Sequence, residues 1–535
     1  MIIEGAPLFA AFILALIFLA LNRRNGNSRP LPPGPKKLPL LGNLRDMPSS
    51  FQWIAFSQWA KQYDSDILHL EVAGSQYIVL NSYDAAADLL DKRSSIYSSR
   101  PHATMLYDLV GYVSPQQAIE CSRINPNIVG TGILLLMSYG EDLKAHRKLF
   151  QQEFHPNHPS LHRPHEKKAL VVFLNGLLET PEEWMGHIRH MTGSIILRVA
   201  YGIHVQPNND PDIHAAEKMI SVLNIAGLPG AFLVDTLPIL KYVPSWFPGA
   251  SFKRKAKAWN GILAATITPP FMKVKKAMKT ASAYDVYKMR NIQIHVSIFF
   301  QEEEEIIKET AGTMYEGGAD TGITALRTFI LAILNFPNAQ REAQEELDRV
   351  IGKERLPDYD DKDSLPYITA VTYECGSPLY PFPHRVDTED TYRGYLIPKD
   401  SVVIPNVWGI LRDPSIYGPN AHEFEPKRWL IKTNGGEWKL NPDMRDPTTI
   451  SFGFGRRVCP GKHMGLSSLW INIASLLHSF NITPAIAKDG KPIEPRVKYV
   501  SGVLSAPAPF ECTIRPRSDG HVALVKEALA SELEG

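Results

Sequence analysis

Cys459 stands in the stretch SFGFGRRVCPGKHMG (451–465), behind Arg456 and Arg457 and immediately before Pro460 and Gly461. A cysteine thiolate binds soft or redox-active metals, and it needs nearby positive charge or hydrogen-bond donors to stay deprotonated. Two arginines and the amides of a glycine-rich loop meet that need. Far upstream, Gly317-Gly318-Ala319-Asp320-Thr321 places an acid beside an alcohol in an apolar setting, a pair able to pass a proton over a short distance. Taken alone, a buried cysteine is more often inert packing than a ligand. A glycine pair inside a helix more often marks a close helix crossing.

These groups need elements to hold them. The stretch GKHMGLSSLWINIASLLHSF (461–480) has helical periodicity, with Met464, Leu469, Ile473 and Leu476 near one face. Cys459 therefore lies at the positive end of a helix dipole, which favours a thiolate. The pattern from Ile306 to Pro337 predicts a long, largely apolar helix carrying Asp320 and Thr321. Each glycine costs such a helix about 1 kcal/mol relative to alanine. The pair thus serves either a close crossing or a local opening of the helix beside the acid and alcohol. Alternation predicts short strands in DILHLEVAGSQYIVLN (66–81) and DTYRGYLIPKDSVVIP (390–405), while helical patterns dominate elsewhere.

The chain has 535 residues, enough for a large core, with no internal repeat and no second proline-rich linker, so one large globular unit is expected. Its 57 basic and 56 acidic residues nearly cancel, which argues against a nucleic-acid partner. Cys121, Cys375, Cys459 and Cys512 are far apart, as in a reducing compartment, and no ligand pair around Cys459 has zinc-like spacing. From Ala6 to Leu21 run sixteen uncharged, mostly apolar residues, followed by Arg23 and Arg24. The run is slightly short for a span, but the basic pair lies after it, so a membrane anchor is expected rather than a cleaved signal. Positive-inside logic leaves the remainder cytosolic. Prolines 30, 32, 33, 35 and 39 then predict a stiff spacer.

Phe452, Gly455, Arg457, Cys459 and Gly461 fill every position of FxxGxRxCxG, and on this motif the sequence resembles the cytochromes P450, the haem-thiolate monooxygenases. The resemblance implies a mainly α fold with small β-sheets: a single large haem domain (44–517) behind an N-terminal membrane anchor (1–24) and proline-rich linker (25–43), with a C-terminal tail (518–535). It implies haem b with Cys459 as the axial iron ligand, whose electron donation favours O–O cleavage. Arg457 is then expected to face a propionate and Phe452 to pack beside the sulfur. Gly317 to Thr321 fit [AG]Gx[DE][TS], which implies that Asp320 and Thr321 are catalytic and supply protons during oxygen activation. The stretch FEPKRW (424–429) resembles the family's FxPxRW, with Arg428 as its structural arginine. PFPHRV (381–386) resembles the segment in which His384 or Arg385 approaches a propionate. SYGEDLKAHRKLF (138–150) resembles the helix that grips haem through Arg147. Leu143 stands there where tryptophan is usual, so one propionate contact is expected to be missing.

The main departure is YECGSPLYPFPHRV (373–386). The family pattern is Glu-x-x-Arg, yet Glu374 is followed by Ser377, and the segment is a few residues short. Loss of one member of a buried charge network costs about 3–5 kcal/mol. Glu374 is left to pair directly with Arg428 or to take a proton, so lowered stability and poor haem retention are expected. Residues 112–136 and 284–300 also look foreign to the family. Retained intron sequence, with an excised exon edge at 376–378, would cover all three oddities.

The reading is a monooxygenase in the endoplasmic reticulum membrane, single-pass with its catalytic domain cytosolic, that inserts one oxygen atom from O2 into a lipophilic small molecule. No flavin or nicotinamide domain is evident, so electrons are expected from NADPH through a separate cytochrome reductase, docked near Arg456, Lys462 and His463. The alternative is a catalytically impaired haem-binding relative or a faulty gene model, since the arginine of Glu-x-x-Arg is absent. Within the family the chain resembles basidiomycete sequences of the O-methylsterigmatocystin oxidoreductase and tryptamine hydroxylase branch. An indole, terpenoid, steroid or polycyclic aromatic, as secondary metabolite or xenobiotic, suits that class.

Overall fold

The computed structural model describes residues 29–113, 132–280, 301–375 and 382–534. The expected anchor, most of the 112–136 stretch, all of 284–300 and Ser377 lie outside the described residues. Eleven helices of nine residues or more occur among the described residues. They are α1 (Gln52–Gln62), α2 (Glu141–Phe154), α3 (Arg163–Glu179), α4 (Trp184–Tyr201), α5 (Pro211–Ala226), α6 (Ser251–Thr280), α7 (Gln301–Asn335), α8 (Pro337–Val350), α9 (Pro366–Glu374), α10 (Lys462–Ser479) and α11 (Asp519–Glu534).

Helix α7 is the axis of the core. Ile307, Ala311, Met314, Tyr315, Ala319, Ile323, Leu326, Ile330 and Ile333 recur at helical spacing and are all buried. By length and composition α7 resembles a membrane span, but more than half of its apolar stretch is buried inside the fold, as in the core helix of a globular body. It packs against α4, α5, α2 and α10. Helix α9 begins with Pro366, and the Tyr367 and Ile368 N–H groups donate to the Glu346 carboxylate at 3.0 Å each. A side chain of α8 thus satisfies two of the orphan donors at the start of α9.

The strands are short. β1 (Ile67–Val72) and β2 (Ser75–Leu80) form a hairpin turned by Ala73 and Gly74, both with positive φ, as the tight primed turns require. β3 (His384–Arg385) and β6 (Val402–Pro405) complete this sheet in the order β1-β2-β6-β3. β4 (Asp390–Tyr392) and β5 (Tyr395–Ile397) make a separate pair, as do β7 (Leu430–Lys432) with β8 (Trp438–Leu440) and β9 (Phe480–Pro484) with β10 (Cys512–Pro516). Both strand-rich stretches expected from alternation are therefore strands, in a mainly helical fold with small sheets. The proline-rich segment docks on them: the His69 N–H donates to the Pro33 carbonyl at 2.9 Å, and the Leu396 N–H to that of Pro30 at 2.9 Å. At the other end α11 lies against α3, where the Lys168 ammonium reaches the Glu532 carbonyl at 3.1 Å.

Candidate active site

The loop before α10 is closed by its own backbone, with the Cys459 N–H donating to the Phe452 carbonyl at 2.8 Å. Gly455 has φ +54°, and a Cβ there would stand 2.2 Å from the Leu90 carbonyl oxygen, so only glycine lets the loop pass. The Cys459 side chain is accessible to solvent, although protein atoms crowd it at longer range. That surrounding protein pushes its thiol above the ordinary value, while the Gly461 N–H, Arg147 and Lys462 pull toward the thiolate. Arg147, on α2, donates to the Val458 carbonyl at 3.0 Å, one residue before the sulfur.

The other basic candidates meet at residues 97–100. The His384 Nδ1 lies 2.8 Å from the Tyr97 carbonyl, and burial holds its imidazole well below the ordinary value, hence neutral. Arg457 is buried and donates from Nε to the Ser98 carbonyl at 2.5 Å, from Nη1 to that of Leu134 at 3.2 Å and from Nη2 to that of Met137. The Arg385 N–H donates to the Ser99 carbonyl at 2.8 Å, while its guanidinium pairs with Asp387 at 3.1 Å. Arg100 is also buried and donates to the carbonyls of Leu135 (3.0 Å), Phe382 (2.7 Å) and Pro383 (2.9 Å). Arg100 and Arg457 form no ion pair among the described residues; burial pushes the former down to about 10 and the latter to about 8, and the charge of Arg100 depresses Arg457 further. Sequence reasoning missed Arg100. Its partners are backbone carbonyls, which leave no pattern in the sequence, and its only sequence signal is an arginine set before Pro101 in an otherwise uncharged stretch.

On α7 the two glycines divide the expected roles. A Cβ on Gly318 would lie 2.7 Å from Ile196 of α4, so this glycine permits the close crossing. Gly317 faces open space. The helix is unbroken from Gln301 to Asn335, so the expected local opening is absent; instead the Thr321 hydroxyl donates to the Gly317 carbonyl at 2.9 Å. Burial raises the Asp320 carboxyl above its ordinary value, against the pull of Arg327 and Arg189. Upstream, Glu309 accepts from the Gly132 N–H at 2.7 Å and lies 3.1 Å from His146 of α2. This clasp fixes the end of the unusual 112–136 stretch to α7.

Glu374 takes the first route open to it. Its Oε1 accepts from the Arg428 Nε at 2.6 Å and from the Trp429 indole at 2.8 Å, and the Glu425 N–H adds a third donor. Burial still holds its carboxyl above the ordinary range. Arg428 spends its remaining donors on the carbonyls of Tyr417 (2.9 Å), Asn420 (2.8 Å) and Glu423 (2.6 Å). Trp429 is the partner that the sequence reading lacked.

A mainly helical body with a donor-supported cysteine ahead of one core helix and an acid–alcohol pair on another defines a haem-thiolate architecture. Residues 32–514 match the pattern of the family described as Cytochrome P450. The chain is 38% identical over 521 residues to cytochrome P450 monooxygenase 208 of Postia placenta, covering 96% of each. It is 39% identical over 521 residues to tryptamine 4-monooxygenase of Psilocybe cyanescens, covering 96% of this chain and 98% of that one. The match to cytochrome P450 monooxygenase ple1 of Rhodocybe pseudopiperita is 38% over 493 residues, 91% and 90%. The chain belongs to the cytochrome P450 family and is a haem-thiolate monooxygenase, an oxidoreductase that incorporates oxygen from O2. Nothing in these relationships favours the impaired alternative.

Proposed function

We propose that the Cys459 thiolate would hold the iron of haem b and that Arg100 and Arg457 would hold its propionates. One observation carries this reading: two buried guanidiniums, Arg100 and Arg457, lie near each other without a carboxylate partner among the described residues, and Arg457 stands two positions before an accessible, donor-supported cysteine. Two carboxylates arriving with the cofactor supply the charge that the chain lacks, in the geometry that suits arginine. Haem, when bound, supplies the activation of O2 needed to insert one oxygen atom into a substrate. Arg147 holds the carbonyl preceding Cys459 and stabilises the thiolate. His384, neutral and engaged with the Tyr97 carbonyl, and Arg385, paired with Asp387, support the wall of the pocket. Phe452 closes the loop through its carbonyl. Asp320, held protonated more readily than an ordinary carboxyl, donates a proton, and the Thr321 hydroxyl relays it once released from Gly317.

The substrate is a lipophilic small molecule, a secondary metabolite or xenobiotic; tryptamine, acted on by one relative, keeps an indole among the candidates. Electrons come from NADPH through a cytochrome reductase docked at exposed Arg456 and His463 and half-buried Lys462. Residues 1–24 anchor the protein in the endoplasmic reticulum membrane, 25–43 link the anchor to a cytosolic haem domain (44–517), and 518–535 follow it. The test is the carbon monoxide difference spectrum of reduced, membrane-expressed protein. The red-shifted Soret band of thiolate-ligated haem is expected in the wild type and absent in Cys459→Ala. A wild-type spectrum without that band overturns the ligand assignment.

A further inference from the structure

Helix α7 carries a further acid that none of these roles uses. Glu316 lies one turn before Asp320, its side chain is buried, and neither carboxyl oxygen has a hydrogen-bond partner. The buried Tyr201 hydroxyl at the end of α4 is likewise unpartnered. The Tyr201 ring packs edge-on against that of Tyr315, the residue before Glu316, with centroids 5.9 Å apart, and the charge of Glu316 reaches both Tyr201 and Tyr112. Tyr112 is itself satisfied by the Met219 sulfur at 3.2 Å and packs within an apolar cluster with Met105, Leu109, Ile133 and Leu263. The contrast with Glu309, two turns earlier on the same helix, is direct. That acid is satisfied by Gly132 and His146, and this one by nothing among the described residues.

A buried carboxyl without a partner is costly, and an apolar residue of similar size would fill the place at lower cost. Burial pushes the Glu316 carboxyl up to about 8, so it waits uncharged at neutral pH. We propose that Glu316 determines specificity by binding the basic amine of a lipophilic substrate, with the Tyr201 hydroxyl accepting a second N–H. The proton balance closes within the pair. A neutral acid gives its proton to a free amine, and the resulting carboxylate and ammonium bring no net charge into this apolar region. An alcohol or a hydrocarbon gains no such pair, so the site selects for the amine. Anchored one turn from Asp320, about 5.4 Å along the helix, the amine leaves the apolar body free to reach the reacting centre.

This inference rests on the lipophilic-substrate reading above. Its test uses full-length holoenzyme and three probes of matched shape: 4-phenylbutylamine, 4-phenylbutanol and pentylbenzene. Binding is measured by equilibrium dialysis, with the visible spectrum recorded to detect ligation of the iron by the amine. The wild type is expected to bind the amine about tenfold more tightly than either neutral probe, as a charge-assisted contact provides. Glu316→Gln is expected to bring all three within about twofold while keeping pentylbenzene affinity. If Glu316→Gln does not retain haem, Tyr201→Phe is the second variant, with a loss of about threefold confined to the amine. Equal binding of the three probes by the wild type, or an amine preference that survives Glu316→Gln, overturns the assignment and leaves the lipophilic pocket standing. Failure of pentylbenzene as well as the amine to bind overturns both.

Discussion

Two buried arginine clusters handle charge in opposite ways. Around Arg428 the balance is struck within the chain, since Glu374 supplies the anion and three backbone carbonyls take the remaining donors. Around Arg100 and Arg457 two cations share carbonyls alone and repel each other. The first region is finished when the polypeptide folds, and on the proposed reading the second only when the cofactor's carboxylates arrive. An arginine missing from the Glu-x-x-Arg pattern therefore falls in the region best able to re-pair, and on the proposed reading cofactor retention depends on the other.

The comparison can be broken most forcefully at Arg428. Arg428→Ala leaves Glu374 buried without its cation, and a loss of about 3–5 kcal/mol is expected in denaturant unfolding of apo and haem-loaded protein alike. A loss confined to the loaded form would mean that the pair is not self-contained. Glu316 offers a third case, a carboxyl with neither partner, and its effect is tied to pH. Its folded value near 8 exceeds the ordinary 4.5, so the native state binds the extra proton between these limits and stability falls as pH rises through them. Relative to Glu316→Gln, the wild type should lose stability on the order of 3 kcal/mol between about pH 5 and pH 8 and no more above.

Arg457→Ala sharpens the contrast. Because it removes an uncompensated buried cation, the apoprotein should be no less stable, while haem transfer to an acceptor protein should quicken by about tenfold. A destabilised apoprotein with unchanged transfer would reverse the roles assigned to the two clusters. Ser377→Arg should have the smallest effect. Glu374 already accepts three hydrogen bonds, so haem content should change by about twofold at most. A large rise would restore the expectation that this network is incomplete.

The proposed reaction centre can be read from the sequence because its signals are local. Cys459 with its glycines, and Asp320 with Thr321, lie on short contiguous motifs, and the apolar spacing of α7 and α10 announces helices. What escaped was long-range or carried by backbone. Arg100 meets Phe382 and Leu135 through carbonyl oxygens that every residue possesses. Trp429 directly follows Arg428 in the chain, yet the direction of its indole depends on the short 3-10 turn from Pro426 to Trp429, which motif matching does not predict. The severity expected from Ser377 followed from treating the charge network as a fixed set of side chains. Once folded, the indole and the Glu425 amide share the burden.

Gly317 and Gly318, one position apart, differ in what they tolerate. A methyl group at 318 collides with Ile196 and forces α4 and α7 apart, whereas a methyl group at 317 grows into vacant volume. For anyone retuning the enzyme by directed evolution, 318 is a rivet and 317 a dial. Libraries at 317 can add side chains into that open volume while the neighbouring position keeps the helix contact in place.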